Sequence, residues 1–197
     1  RALEEEIHGV GAPYTTFVLE EVASRPLEEL PDAVAADLER SAVSIFAAWA
    51  QANELGSRMQ MTDIVNRRKM RHAHMVNITD QIMRDGMRAD YHAVDRLSSR
   101  VYDIVRHART IRATTPAGSD IRADLDPDLK WIKTSGLISP EKWGNLPGGE
   151  VFTAPGNVNG TFVIDGVVGD WLCDRYGTLK NAPLTISVRE GRLVDAH

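Results

Sequence analysis

A mixed α+β chain is what the sequence predicts: a layered α/β N-terminal domain with a partly parallel sheet and helices, then a mainly antiparallel β-rich segment. Three observations carry this. Residues 1 to about 110 alternate helical and strand-like patterns. Residues 89–109 form one long amphipathic pattern. From about 111, glycine and proline become dense, with β-branched and aromatic runs between them. The division falls at 1–110 and 111–197, with no flexible linker to mark it.

In order along the chain, residues 14–19 (Tyr14, Thr15, Thr16, Phe17, Val18, Leu19) are β-rich, and Ala33, Val34 and Leu38 after Pro31 have helical spacing that ends near Arg40. Residues 42–47, centred on Val43, Ile45 and Phe46, read as a buried strand. Asn77 or Thr79 caps a short helix that places Ile78, Ile82 and Met83 on one side, with Gly86 as its stop. In the long helix Val94, Leu97, Val101, Ile104, Val105 and Ala108 form one stripe and Arg96, Ser99, Arg100, Asp103 and Arg106 the other. Beyond 111, strands are expected at 151–153, 161–164, 184–188 and 192–194, the last two joined as a hairpin at Glu190-Gly191.

Composition excludes several classes. At 197 residues, 43% hydrophobic and 26% charged, with net charge -5, the chain lies in the globular regime and is long enough for a real core. No apolar run approaches the roughly 20 residues of a membrane span, so no membrane partner is expected. The single Cys173 excludes an intrachain disulfide or cysteine-built zinc site and fits a cytoplasmic setting. Residues 57–112 carry twelve Arg or Lys against six Asp, about +6, leaving about -11 elsewhere. The arginines interleave with aspartates and lack an aromatic platform, so this reads as a solvated or interface surface, with no nucleic acid partner.

Candidate chemistry is sparse. His72 and His74 could present two imidazoles from one strand face, but a metal needs a third ligand, so the pair reads as structural or surface residues. No Gly-x-Ser-x-Gly elbow, Walker loop or dinucleotide fingerprint occurs, and Cys173 reads as packing. The most informative stretch is Asn145-Leu146-Pro147-Gly148-Gly149-Glu150-Val151-Phe152-Thr153-Ala154-Pro155, in which two glycines turn the chain and Glu150 opens a β-run that could hold its carboxylate rigidly.

This stretch resembles the signature of the aminopeptidase T and aminopeptidase S family of metal-dependent aminopeptidases, Asn-(Leu/Met)-Pro-x-Gly-Glu-Val-Phe-Thr-Ala-Pro. Upstream, Ala117-Gly118-Ser119-Asp120-Ile121 is similar to the family's Gly-Thr-Asp-Leu element, and Trp143-Gly144 leads into the signature. Downstream, Val158-Asn159-Gly160-Thr161 and Gly191-Arg192-Leu193-Val194 follow the family order. Residues 71–79, with His72 and His74, resemble its N-terminal domain more weakly.

The resemblance implies a metallo-aminopeptidase, a hydrolase in which two divalent ions (zinc, cobalt or manganese) activate water, with Glu150 as a metal ligand, a peptide as substrate and a homodimer as the assembly. The family's other ligands and its acid/base residue match nothing here. The chain opens at Arg1 without a preceding strand and closes at His197 directly after one. It therefore reads as an incomplete enzyme, inactive alone. Two alternatives stand beside this. An iron-dependent ring-cleaving dioxygenase of the dihydroxypyridine type uses the same scaffold, and there two histidines and a carboxylate would suit iron. The other is a non-catalytic binding or assembly module. Retention of Glu150 in the full signature favours the peptidase.

Overall fold

The computed structural model describes residues 2–197, the side chains of Asp170 and Trp171 excepted. Along the chain the elements are α1 (Ala2–Gly9), α2 (Leu19–Val22), α3 (Asp32–Leu38), β1 (Val43–Ala48), α4 (Leu55–Arg68), β2 (Arg71–Val76), α5 (Asp80–Arg84), a 3-10 turn (Gly86–Arg88) and α6 (Tyr91–Val105). Then follow β3 (Thr110–Thr114), β4 (Asp120–Leu125), β5 (Ile132–Thr134), β6 (Gly144–Asn145), β7 (Glu150–Phe152), β8 (Pro155–Ile164), α7 (Gly169–Tyr176), β9 (Leu184–Arg189) and β10 (Arg192–Ala196). Two compact units result. One comprises residues through Asp95 with Thr134–Gly149, the other Arg96–Lys133 with Glu150–His197. The expected α+β class, parallel sheet first and antiparallel sheet second, is what forms.

The first unit holds a three-stranded parallel sheet in the order β1-β2-β6. Its core joins Val34 and Leu38 of α3, Phe46 of β1, Met61, Ile64 and Val65 of α4, and Met70. Burying each such side chain is worth about 1.5–3 kcal/mol, which is why a helix with only a narrow apolar stripe is retained. That helix, α4, has no counterpart in the sequence reading, because Met61, Ile64 and Val65 are too few among polar neighbours to stand out. It ends where Lys69 turns left-handed (φ 52°) and its N–H reaches the Asn66 and Val65 carbonyls.

Two local expectations are corrected. Residues 14–19 find no strand partner; they run irregularly until Leu19 opens the single turn of α2. Gly86 does not stop α5 but begins the 3-10 turn, the break being made by Asp85 (φ -104°, ψ -87°). Residues 42–47 do form a strand, β1, although only Phe46 of it is buried. Thr79 is the cap, its Oγ1 accepting from Ile82 N at 3.2 Å.

The second unit is built on a five-stranded antiparallel sheet in the order β10-β9-β8-β4-β3. Directly paired residues project to one side. The register therefore groups Ile111 with Ala123, Ala113 with Ile121, Phe162 with Ile186, Ile164 with Leu184 and Leu193 with Val188. The other side carries Arg112 opposite Arg122 and Thr161 opposite Ser187. The β9–β10 hairpin turns at Glu190 (φ 50°) and Gly191 (φ 72°), the paired left-handed geometry expected of a two-residue loop. At Gly160 (φ 126°) an added Cβ would lie 2.2 Å from the Asp120 carbonyl oxygen, so β8 can approach β4 only with glycine there. β5 and β7 pair as a separate two-stranded ribbon. Among the described residues, no helix is long and apolar enough to cross a membrane.

Candidate functional site

The glycine- and proline-rich stretch singled out from sequence is a shaped turn. Gly144 and Asn145 lie beside Ala73 and His74 in parallel register, and Leu146 N donates to the His74 carbonyl at 3.0 Å. A cis Leu146-Pro147 bond follows. At Gly148 a Cβ would sit 2.7 Å from the Asn145 carbonyl oxygen and 2.8 Å from Gly136 N, so only glycine passes. Glu150 then opens β7 with its side chain exposed. A strand does carry this carboxylate. Among the described residues, however, no three His, Cys, Asp or Glu side chains come together as a metal site, at Glu150 or elsewhere. The residues present therefore do not by themselves fit a metal, which needs at least three protein ligands.

The upstream Gly118-Ser119-Asp120 element has structural employment. Ser119, 4% exposed, accepts from Val163 N at 2.9 Å and donates to the Val163 carbonyl at 3.2 Å, tying β4 to β8. Asp120 receives two bonds from Arg112, at 2.7 and 2.6 Å, and that guanidinium lowers its carboxyl pKa.

His72 and His74 both point into the first unit, 0% and 7% exposed. Ser44 Oγ lies 2.8 Å from His72 Nδ1, and His72 Nε2 lies 3.1 Å from His74 Nδ1. Phe46 stacks on His74 at 4.9 Å, and Trp143 meets both rings edge-on at 6.0 and 5.8 Å. Burial, with the neighbouring His74, lowers His72 to about 4; burial, with Arg58, lowers His74 to about 4. Both rings are thus neutral at physiological pH, and the Ser44–His72–His74 chain satisfies polar groups within the core. Their role in this structure is structural.

A buried ion pair was not found by sequence reasoning. Glu54, 3% exposed, accepts from Arg25 Nε at 2.8 Å, Leu27 N at 2.9 Å and Gln51 N at 2.9 Å, while Arg25 also reaches Glu20 at 2.8 Å and the Trp49 carbonyl. Arg25 holds the Glu54 carboxyl at about 2, and its own pKa is raised in return. Twenty-nine residues separate the partners, and no local pattern links them.

Two depressions stand out on the surface of the described residues. In the second unit, Ser99, Tyr102, Asp103, Trp131 and Lys133 line an open one of about 450 Å³, with Lys133 Nζ donating to Ser99 Oγ at 2.8 Å. In the first, Val65, Asn66, Lys69, Met70, Pro140, Glu141 and Trp143 line one of about 260 Å³. Glu150 lines neither. Within the basic segment, Arg67 pairs with Glu39 and Arg106 with Asp103, a solvated and partly neutralised surface.

Comparison with known proteins decides between the readings. The family model for 2,5-dihydroxypyridine 5,6-dioxygenase, NicX, matches residues 88–197. No curated protein matches. Among solved structures, 2,5-dihydroxypyridine dioxygenase from Pseudomonas putida KT2440 aligns with a TM-score of 0.57 at 15% identity, covering 92% of this chain and 52% of that one; the likeness is one of fold. This chain therefore spans about half the length of that structure.

These matches overturn the aminopeptidase T and S assignment and, with it, the hydrolase, aminopeptidase and metalloprotease functions. The physical reason lies in what the motif does. Its glycines and proline shape a turn that two chemistries can share, and a single exposed Glu150 does not discriminate between them. Family membership implies a metal cofactor but gives no support to zinc, cobalt or manganese. With residues 88–197 matched, the chain belongs to the 2,5-dihydroxypyridine 5,6-dioxygenase (NicX) family.

Proposed function

We propose that this chain contributes to an iron-dependent dioxygenase that opens a dihydroxylated pyridine ring, both atoms of O2 entering the product. The observation that carries the reading is the family match over 88–197, which takes in the whole five-stranded sheet and the turn leading to Glu150. Iron is suited by two histidines and a carboxylate with open positions. Glu150 is the candidate carboxylate. His72 and His74 are not offered as the histidines, because their ring nitrogens are engaged with Ser44 and each other inside the core. The single cysteine fits a cytoplasmic setting.

The test uses the full-length protein, loaded with ferrous iron under anaerobic conditions and mixed with 2,5-dihydroxypyridine and oxygen. Equimolar oxygen uptake and loss of the ring's ultraviolet absorption are expected, with no hydrolysis of aminoacyl-anilides. Iron-loaded protein that consumes no oxygen, or that releases aniline, would refute the reading. Glu150→Ala is expected to weaken iron binding at least tenfold, read by metal titration; unchanged affinity would remove Glu150 from the ligand set.

A further inference from the structure

The first turn of α6 grips the loop that leads to Glu150. Tyr91, Val94 and Asp95 are spaced three and four residues apart, so they share one helix face, and all three are half-buried. The Tyr91 ring covers Gly136, where an added Cβ would fall 2.5 Å from its Cδ1 and 2.6 Å from its Cε1. Beside it, Asp95 accepts from Ser135 Oγ at 2.6 Å, and Ser135 is buried. Val94 closes on Gly149, whose added Cβ would meet Val94 Cγ1 at 3.0 Å. The Tyr91 hydroxyl donates to the Gly86 carbonyl at 3.2 Å. Gly86 and Gly136 are the supports on which the loop rests. An added Cβ on Gly86 would lie 3.1 Å from Pro147 Cγ, and one on Gly148 would lie 2.8 Å from Gly136 N. Tyr91 thus holds both supports, one through its ring and the other through its hydroxyl.

We infer that Tyr91 is a positioning residue: by tying Gly86 to Gly136 it fixes the Pro147-Gly148-Gly149 backbone from which Glu150 is presented. Glycine backbone is the most permissive in a chain, so the path of this loop is set by what it rests on. Each glycine contact is too close for any side chain, and a shift of either support moves the loop with it. Loss of Tyr91 frees both supports together, whereas Asp95 and Val94 each hold a single point. Residues that carry chemistry need such locked supports, and a misplacement of about 1 Å transmitted from a distant change costs about 100-fold in rate. The effect on rate rests on the dioxygenase reading, in which the Glu150 carboxylate serves the reaction. The effect on the loop does not: Tyr91, both supports and residues 147–149 all belong to the first compact unit.

Backbone amide hydrogen exchange, followed by mass spectrometry in the full-length protein, tests the placement. Tyr91→Leu should speed exchange over residues 146–150 by about tenfold or more, and Tyr91→Phe, which keeps the ring and loses the bond to Gly86, by about threefold. Peptides from β1 and β2 should exchange as in wild type. Equal exchange at 146–150, or an equal rise in β1 and β2, would overturn the inference. Turnover of 2,5-dihydroxypyridine gives the second readout. Tyr91→Leu should lower kcat about tenfold or more with KM within about twofold, and the loss should shrink below about twofold when Glu150 is already Ala, because nothing is left to place. Losses that simply add would overturn the inference. A wild-type protein that turns over nothing refutes the dioxygenase reading instead, and exchange then decides the placement alone, as it does if Glu150→Ala is inert. Should Tyr91→Leu fail to fold, Tyr91→Phe decides by the same readouts.

Discussion

Replacing Glu54 by Gln isolates the electrostatic part of the buried pair that pins the Arg25–Leu27 loop to the start of α4. The amide keeps one acceptor for Leu27 N or Gln51 N but leaves the Arg25 guanidinium, whose side chain is 8% exposed, with the exposed Glu20 in place of its buried counter-charge. Breaking such a pair on one side costs about 3–5 kcal/mol when fully buried, and the remaining Arg25–Glu20 contact reduces that to about 2–4 kcal/mol. The pH dependence gives an independent estimate. Glu54 titrates near 2 in the folded chain against a reference of 4.5, so the unfolded chain binds the proton first as pH falls. The stabilisation is therefore complete above pH 4.5 and is lost as pH falls towards 2. At about 1.4 kcal/mol per unit it amounts to about 3 kcal/mol. Urea denaturation of wild type and Glu54→Gln at pH 7, 5 and 3 should show a stability gap that is constant between pH 7 and 5 and narrows by pH 3. A gap below about 1 kcal/mol at pH 7, or one equally large at pH 3, would refute the argument.

The histidine pair gives a separate window. Both rings titrate near 4 when folded against 6.5 free, so wild-type stability should fall between pH 6.5 and 4, by about 3 kcal/mol for each ring. A His72→Gln, His74→Phe double variant that kept the same slope in a pH series of melts would contradict this. Gly160→Ala should cost about 2–4 kcal/mol, since its Cβ meets the Asp120 carbonyl oxygen at 2.2 Å with φ at 126°; a thermal midpoint unchanged from wild type would show that the strands can part there. Glu190→Asn should stabilise the hairpin by up to about 1 kcal/mol, because asparagine tolerates the left-handed backbone at φ 50° better than glutamate. A lower melting temperature would count against that turn geometry.

Much of the second unit was legible as sequence. Period-two runs such as 161–164 and 184–188, punctuated by glycine and proline, declare strands locally, and Glu190-Gly191 declares its own hairpin. The long helix α6 was equally plain, yet its apolar stripe misled about burial: Leu97 is 61% and Ile104 74% exposed, while Ser98 is buried. Periodicity reports that a face is apolar, and only packing decides whether anything covers it. The same limit governed the site. Glu150 at a strand start was visible as a motif, but a motif that shapes a turn is compatible with more than one chemistry.

Sequence by itself determined the α+β class and the strands at 151–153, 161–164, 184–188 and 192–194 with the turn at Glu190-Gly191, because these depend on neighbours a few residues apart; it did not mark β3, β4 or β5, and it left His72 and His74 as structural or surface residues. Tertiary structure alone decided that Gly144–Asn145 adds a third parallel strand beside β2, that Arg25 and Glu54 meet across 29 residues, and that α4 belongs to the core. Each of those depends on long-range contacts, whose energy comes from burial and charge pairing between segments that carry no mark of one another in the linear order.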